Sequence, residues 1–297
     1  MERGSGIVLA NFGRGVLVQH EAGLLHCVPK GRRQRIVCGD RIEWWRARPG
    51  DLPSIEALLP RRNLLERIDA RGRAEPVAAN LDRIGILAAP QPQPDWFLLD
   101  RYWAAARLLG LPALLILNKA DLGLDSLAHE LDTYRALGLE CHEVSACTQA
   151  GVASLLERLA QGVSLLVGQS GVGKSSLVNA LVPGAATQTA ALTREAEGRH
   201  TTTTARRYAL PYAGAALVDA PGVRDFAPPI ASGRAVQQGF VEIESLATGC
   251  RFADCRHFEE PDCAVRSAVT AEQVSKRRYE SYRRLQRLYE KLMVPGR

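Results

Sequence analysis

The 297-residue sequence contains no apolar run that approaches the ~18 residues a membrane span requires; its longest, such as Ala113–Leu117, fall far short. No apolar h-region follows Met1-Glu2-Arg3-Gly4, so no secretory signal is expected, and the expected address is cytoplasmic with no membrane partner. Internal repeats are absent, and no low-complexity tract is longer than Thr201–Thr204. A disulfide framework is not expected either. Seven cysteines is an odd count for a long chain in a reducing compartment, which directs attention to their spacing.

What is present is ordinary for a globular protein: 46% hydrophobic and 24% charged residues, in a length that suits two or three domains. The formal charge of +6 is modestly basic and hides a larger contrast. Residues 1–73 hold 14 basic and 8 acidic residues, residues 74–275 hold 16 and 22, and residues 276–297 hold 8 and 2. Two ends of +6 thus flank a middle of −6. Basic ends suit an acidic partner such as nucleic acid.

The first segment reads as short strands broken by turns, at 6–9, 15–19, 24–28, 34–37, 41–45 and 55–59, which suggests a small β-barrel with the basic loop 30–35 (KGRRQR) projecting from it. From about residue 79 the texture changes to strands (83–89, 113–117, 140–144, 163–167) alternating with helices (95–109, 127–137, 152–159 and one from Lys174). That order predicts a mostly parallel sheet covered on both faces, with ligands beyond the carboxyl ends of its strands. Residues 271–292 lack glycine and proline and place Tyr282, Leu285, Leu288 and Leu292 at helical spacing, a basic amphipathic helix.

Three motifs carry the chemistry. Gly168-Gln169-Ser170-Gly171-Val172-Gly173-Lys174-Ser175, followed by Ser176, matches G-x-x-x-x-G-K-[ST] between a strand and a helix. Its backbone N–H groups would cradle phosphates, Lys174 would reach the β- and γ-phosphates, and the Ser175 hydroxyl would hold Mg²⁺. Asn118-Lys119-Ala120-Asp121 follows the strand 113–117. The Asp121 carboxylate can accept the N1–H and 2-amino donors of guanine, a pair that adenine does not offer. Asn118 can bond N7 and brace the phosphate loop, the Lys119 stem can cover the base, and Ser145-Ala146 is a weaker signal for a backbone N–H to guanine O6. Asp219-Ala220-Pro221-Gly222 supplies a carboxylate for a Mg²⁺-bound water and a glycine N–H near the γ-phosphate. In the threonine run between the last two motifs, Thr202 or Thr203 is the second Mg²⁺ ligand, the two remaining as alternatives.

These guanine-nucleotide motifs stand in rotated order, base reader first and phosphate and switch motifs after. A circular permutation is tolerated because domain ends lie close together at the surface. Farther along, Cys250-x4-Cys255-x-His257-x5-Cys263 offers three thiolates and an imidazole, the donor set of a closed structural Zn²⁺ site. Two other readings use only part of this evidence. A P-loop phosphotransferase needs neither 118–121 nor D-A-P-G, and a nonenzymatic RNA-binding zinc protein leaves the nucleotide motifs idle.

N-K-A-D, G-Q-S-G-V-G-K-S-S and D-A-P-G in this order, followed by C-x4-C-x-H-x5-C, resemble the bacterial small-subunit-dependent GTPases, the circularly permuted GTPases of 30S ribosome biogenesis. The resemblance spans nearly the whole chain. It implies a multidomain α/β architecture: an OB-fold-like RNA-binding barrel (1–73), a circularly permuted P-loop GTPase domain (74–228), and a zinc-binding helical domain with a basic C-terminal helix (229–297). It further implies GTP hydrolysis stimulated by the 30S subunit, contact with its rRNA, and a role late in its maturation, with one structural Zn²⁺ and with Mg²⁺ accompanying GTP. Nothing requires more than a monomer. Many GTPases carry a water-positioning Gln directly after the D-x-x-G glycine, where this chain has Val223, so slow intrinsic turnover is expected. His200, preceding the threonines as in the family's H-T-T pattern, is the candidate to position the attacking water.

Overall fold

The computed structural model describes residues 1–13, 15–29, 35–68, 73–185, 205–220 and 232–293. Strands β1 (Glu2–Asn11), β2 (Val16–His20), β3 (Gly23–Pro29), β4 (Arg41–Arg46) and β5 (Ser54–Leu58) form a barrel, closed because β1 pairs with both β2 and β4. The period-2 alternation is plain in β4, where Ile42 and Trp44 enter the barrel core and Arg41 and Glu43 stay outside. Val8, Val16, Val18, Cys27, Ile36 and Ile55 complete that core.

The strand expected at 34–37 does not form over 35–37. The Val37 N–H donates to the buried Asp40 carboxylate at 2.8 Å instead of to a ladder, and Cys38 makes only an isolated bridge with Ala78. A hairpin of β6 (Leu64–Ile68) and β7 (Ala74–Ala79), with no counterpart in the sequence reading, leads out of the barrel.

The next unit alternates β8 (Arg83–Ala88), α1 (Trp96–Leu108), β9 (Ala113–Leu117), α2 (Ala128–Ala136), β10 (Glu140–Glu143), α3 (Val152–Arg158), β11 (Val163–Gly168) and α4 (Lys174–Leu181). Then come β12 (Arg206–Ala209) and β13 (Ala216–Asp219). The parallel order is β10-β9-β8-β11-β13, with β12 antiparallel beside β13. The inner strands β8, β9 and β11 read as near-continuous apolar runs because both faces are covered, whereas the edge strand β10 (ECHE) does not. Ile84, Ile86, Leu115, Leu165 and Val167 pack toward α1 and α2, whereas Leu87, Leu114, Ile116 and Leu166 pack toward α3 and α4. A single pairing, Ala10 with Arg206, joins β1 to β12 and so links barrel and nucleotide sheet in one ladder.

The C-terminal module is helical: α5 (Gly233–Gln238), α6 (Val241–Ala247), α7 (Ala264–Thr270) and α8 (Lys276–Met293). Tyr282 and Leu285 of α8 are buried against Val236, Phe240, Ile243 and Ala104 of α1, and Leu288 is half-buried. Among the described residues no helix is long and apolar enough to cross a membrane.

Candidate functional site

Strand β9 ends by delivering Asn118, whose side chain is 1% exposed, into the space between three loops. Its amide nitrogen donates to the carbonyls of Val172 (2.9 Å) and Gly173 (3.3 Å), and its amide oxygen accepts from the Ala146 N–H (3.1 Å). One buried amide therefore holds 118–121, the phosphate loop and the Ser145-Ala146 turn together, and all its strong bonding groups are satisfied. Gly173 allows the close approach: its φ is +86°, and a Cβ there would lie 2.4 Å from the Asn118 nitrogen.

The neighbours reinforce this junction. Ala120 N–H donates to the Val144 carbonyl at 3.0 Å, and Ser145, fully buried, closes its own turn through the Ala150 carbonyl and the Thr148 N–H. Lys119, left-handed at φ 60°, sends its ammonium to the carbonyls of Gly171 and Gln91, each at 2.8 Å. Asp121 is exposed beside them, as are Ser170, Ser175 and Ser176 of the phosphate loop and the first turn of α4. Lys174 opens α4 and forms an ion pair with Asp219, the last residue of β13; both side chains are mostly buried.

Sequence reasoning missed the loop 91–95. Gln169, at a variable position of the phosphate motif, accepts from the Asp95 N–H (2.8 Å) and donates to the Gln93 carbonyl (3.1 Å), while Lys119 holds Gln91 from the other side. The loop follows β8, which lies between β9 and β11, so its place between base-reading and phosphate loops is set by strand order. His200, Thr202, Thr203, Gly222 and Val223 lie outside the described residues.

The second constellation lies in the C-terminal module. One donor atom from each of Cys250, Cys255, His257 and Cys263 lies within 4.8 Å of the others. Cys250 Sγ to Cys263 Sγ is 3.8 Å, and His257 Nδ1 lies 3.5 and 3.4 Å from these two sulfurs. The buried His257 uses Nε2 toward the Gln237 side-chain oxygen at 3.1 Å, which leaves Nδ1 as the inward donor. Burial lowers the His257 pKa, keeping the ring neutral, and pushes the Cys255 thiol up to about 12. Such thiols ionise only when a cation compensates them, so this set can hold one metal ion. Two hydroxyls of α8 tie the loop down, Tyr279 to the His257 carbonyl (2.5 Å) and Tyr282 to the Arg256 carbonyl (2.9 Å).

Residues 58–228 match the model of the RsgA GTPase family. The chain is 45% identical over 294 residues to a small ribosomal subunit biogenesis GTPase RsgA of Azotobacter vinelandii, covering 95% of this chain and 84% of that one. It is 44% identical over 290 residues to the protein of that name in Pseudomonas aeruginosa, with the same coverage. Among solved structures, YjeQ from Thermotoga maritima superposes with a TM-score of 0.73 at 28% identity, covering 97% of this chain and 99% of that one. YloQ, described as a circularly permuted GTPase, shares the fold with a TM-score of 0.70 at 20% identity over 99% and 98% of the two chains. With the permuted strand order and the three loops gathered on Asn118, these matches place the chain in the RsgA GTPase family.

Proposed function

We propose that this chain hydrolyses GTP to GDP and phosphate and acts in late maturation of the small ribosomal subunit, which it binds through its rRNA and which stimulates its turnover. The observation that carries the nucleotide reading is the Asn118 junction, because it sets an exposed carboxylate, Asp121, beside the phosphate loop. Asp121 selects guanine through its two donors, Lys119 covers the base, and the Ser145-Ala146 turn supports the O6 edge. The backbone N–H groups of 168–175 take the phosphates, with Gly222 at the γ-phosphate.

Lys174 and Asp219 now neutralise each other. With nucleotide bound, the Lys174 ammonium would turn to the β- and γ-phosphates, and the freed Asp219 carboxylate would be available to hold a water of the Mg²⁺. Mg²⁺, when bound, would neutralise charge developing on the transferred phosphoryl. Ser175 and either Thr202 or Thr203 would hold it, and His200 would orient the attacking water in place of the missing Gln.

Zn²⁺ is the metal that suits the Cys3His set. A tetrahedron with ~2.3 Å Zn–S and ~2.0–2.1 Å Zn–N bonds has edges of about 3.5–3.8 Å; the three separations among Cys250, His257 and Cys263, 3.4–3.8 Å, fit it, and Cys255 completes a set that lies within 4.8 Å. With four protein donors the role is structural. We further assign residues 1–73 to RNA binding, 74–228 to the nucleotide and 229–297 to the metal and RNA, in a cytoplasmic monomer.

Competition of GDP against ADP, followed by GTP turnover with and without 30S subunits, tests the reading. GDP should displace a bound guanine nucleotide at concentrations where ADP does not, and 30S subunits should raise turnover. Equal affinities for the two nucleotides would sink the guanine assignment, and equal rates the stimulation. His200→Ala should abolish the stimulated rate while leaving GDP affinity intact.

A further inference from the structure

Helix α8 carries two sets of arginines with opposite fates. Arg277 and Arg278 lie against Asp100, Glu130 and Glu242, three carboxylates for two cations. One to three turns along, Arg283, Arg284 and Arg287 share a single carboxylate, Glu280, at 3.6, 3.5 and 3.6 Å. Arg284 and Arg287 are 57% and 52% exposed, so this face has cations in excess at the surface.

Two aromatic rings back the outward set. Phe258, beside the metal ligand His257, has the guanidinium carbons of Arg283 and Arg287 at 5.2 and 5.6 Å from its centroid. Phe97 of α1 has those of Arg101 and Arg284 at 4.8 and 5.8 Å. A guanidinium resting on a ring has fewer rotamers to lose on binding and keeps a planar fork of donors suited to phosphate oxygens. Residues three and four apart on a helix stand about 5–6 Å from one another, a spacing that suits successive phosphates along a strand. Because Phe97 belongs to the nucleotide unit and Phe258 to the metal loop, the strip crosses the seam between them.

We propose that Arg284 and Arg287, with Arg283 behind them, form a contact for the phosphate backbone of folded RNA, gripping both units at once. The proposal rests on the reading of the chain as a protein that binds the small ribosomal subunit. It is tested by titrating full-length wild type and the R284Q/R287Q variant against purified 30S subunits and against protein-free small-subunit rRNA, each over a series of KCl concentrations. The variant should bind both about 10-fold or more weakly near 150 mM salt, and its slope of log K against log[salt] should be shallower by about 2, near 1 per lost phosphate contact. GDP affinity should be unchanged. K276Q, which removes an exposed cation from the first turn of the same helix, should behave as wild type.

An unchanged slope overturns the proposal, and so does a loss confined to 30S subunits with free rRNA bound normally, which would indicate an acidic protein partner. If wild type fails to bind 30S subunits, the functional reading falls, and the rRNA titration still decides the strip.

Discussion

The nucleotide unit has a joint on each side, and each contains a buried carboxylate facing arginine, yet the two are built on different principles. On the barrel side Asp40, fully buried, receives the Arg61 guanidinium at 2.7 and 2.8 Å, but the backbone also crosses: Ala10 pairs with Arg206, and the Ala79 N–H donates to the Cys38 carbonyl. Asn80 adds a bond to the Gly39 carbonyl, and Gly39, at φ +88°, lies where a Cβ would meet the Ala79 carbonyl oxygen at 2.2 Å. On the C-terminal side no strand crosses among the described residues. Asp100 of α1 takes Arg278 at 2.5 Å, Arg277 at 2.8 Å and the Tyr134 hydroxyl at 2.6 Å, above an apolar patch built on Ala104. Backbone bonds survive side-chain replacement, so one joint is carried largely by the main chain and the other by side chains that a single substitution can orphan.

The largest break should come from the metal loop behind the second joint. If the Cys3His set holds the proposed Zn²⁺, chelation or Cys263→Ser would remove the ion that compensates its thiolates, and the C-terminal module should unfold while the nucleotide unit still binds GDP. Limited proteolysis and mass spectrometry would locate the loss; a module that stays resistant would show the cluster to be dispensable.

Next in size is Asp100→Ala, which leaves Arg278, itself 1% exposed, without one of its two carboxylate partners. Breaking such a buried pair costs about 3–5 kcal/mol, seen as a lowered denaturation midpoint. Asp40→Ala should cost less, about 1–3 kcal/mol, because the Arg61 side chain is 19% exposed and can reach water while the backbone bonds remain. Equal losses at the two positions would end the contrast between the joints.

Acid should weaken the C-terminal joint. Burial alone raises the Asp100 pKa, but Arg278 and Arg277 overcome it and hold the carboxyl below the usual carboxylate range. A carboxyl lowered on folding contributes its stability fully above its unfolded pKa of about 3.9 and loses it as pH falls through the folded value. The C-terminal joint should therefore weaken below about pH 4, and Asp100→Asn should flatten that part of the stability profile. Smallest of all is Arg62→Ala, whose partner contact with Asp82 is exposed enough for a loss under about 1 kcal/mol.

The elements most legible in the sequence were those with local causes. Strand β9 falls on the residues its apolar run indicated, and β8 and α1 end within one residue of expectation, because Asp95 caps the helix by accepting from the Leu98 N–H. The stretch 35–37 was misread since its apolar residues serve a turn around Asp40, and a turn that draws its partner from Arg61 has no local signature. The charge count misled in a similar way. A net of +6 over 276–297 weighs Arg278 and Arg284 alike, although one is sealed in a core and the other meets solvent.

The chemical inventory is local: a glycine-rich turn before Lys174, Asn118 and Asp121 at a strand end, and three cysteines and a histidine in one short stretch can all be read from residues close along the chain. That Asn118 joins three loops, that Gln169 and Lys119 clamp 91–95, and which arginines of α8 remain outside became visible in the folded chain alone. Those outcomes depend on which strands and helices become neighbours, and that is settled by burial over the whole chain rather than by any segment of it.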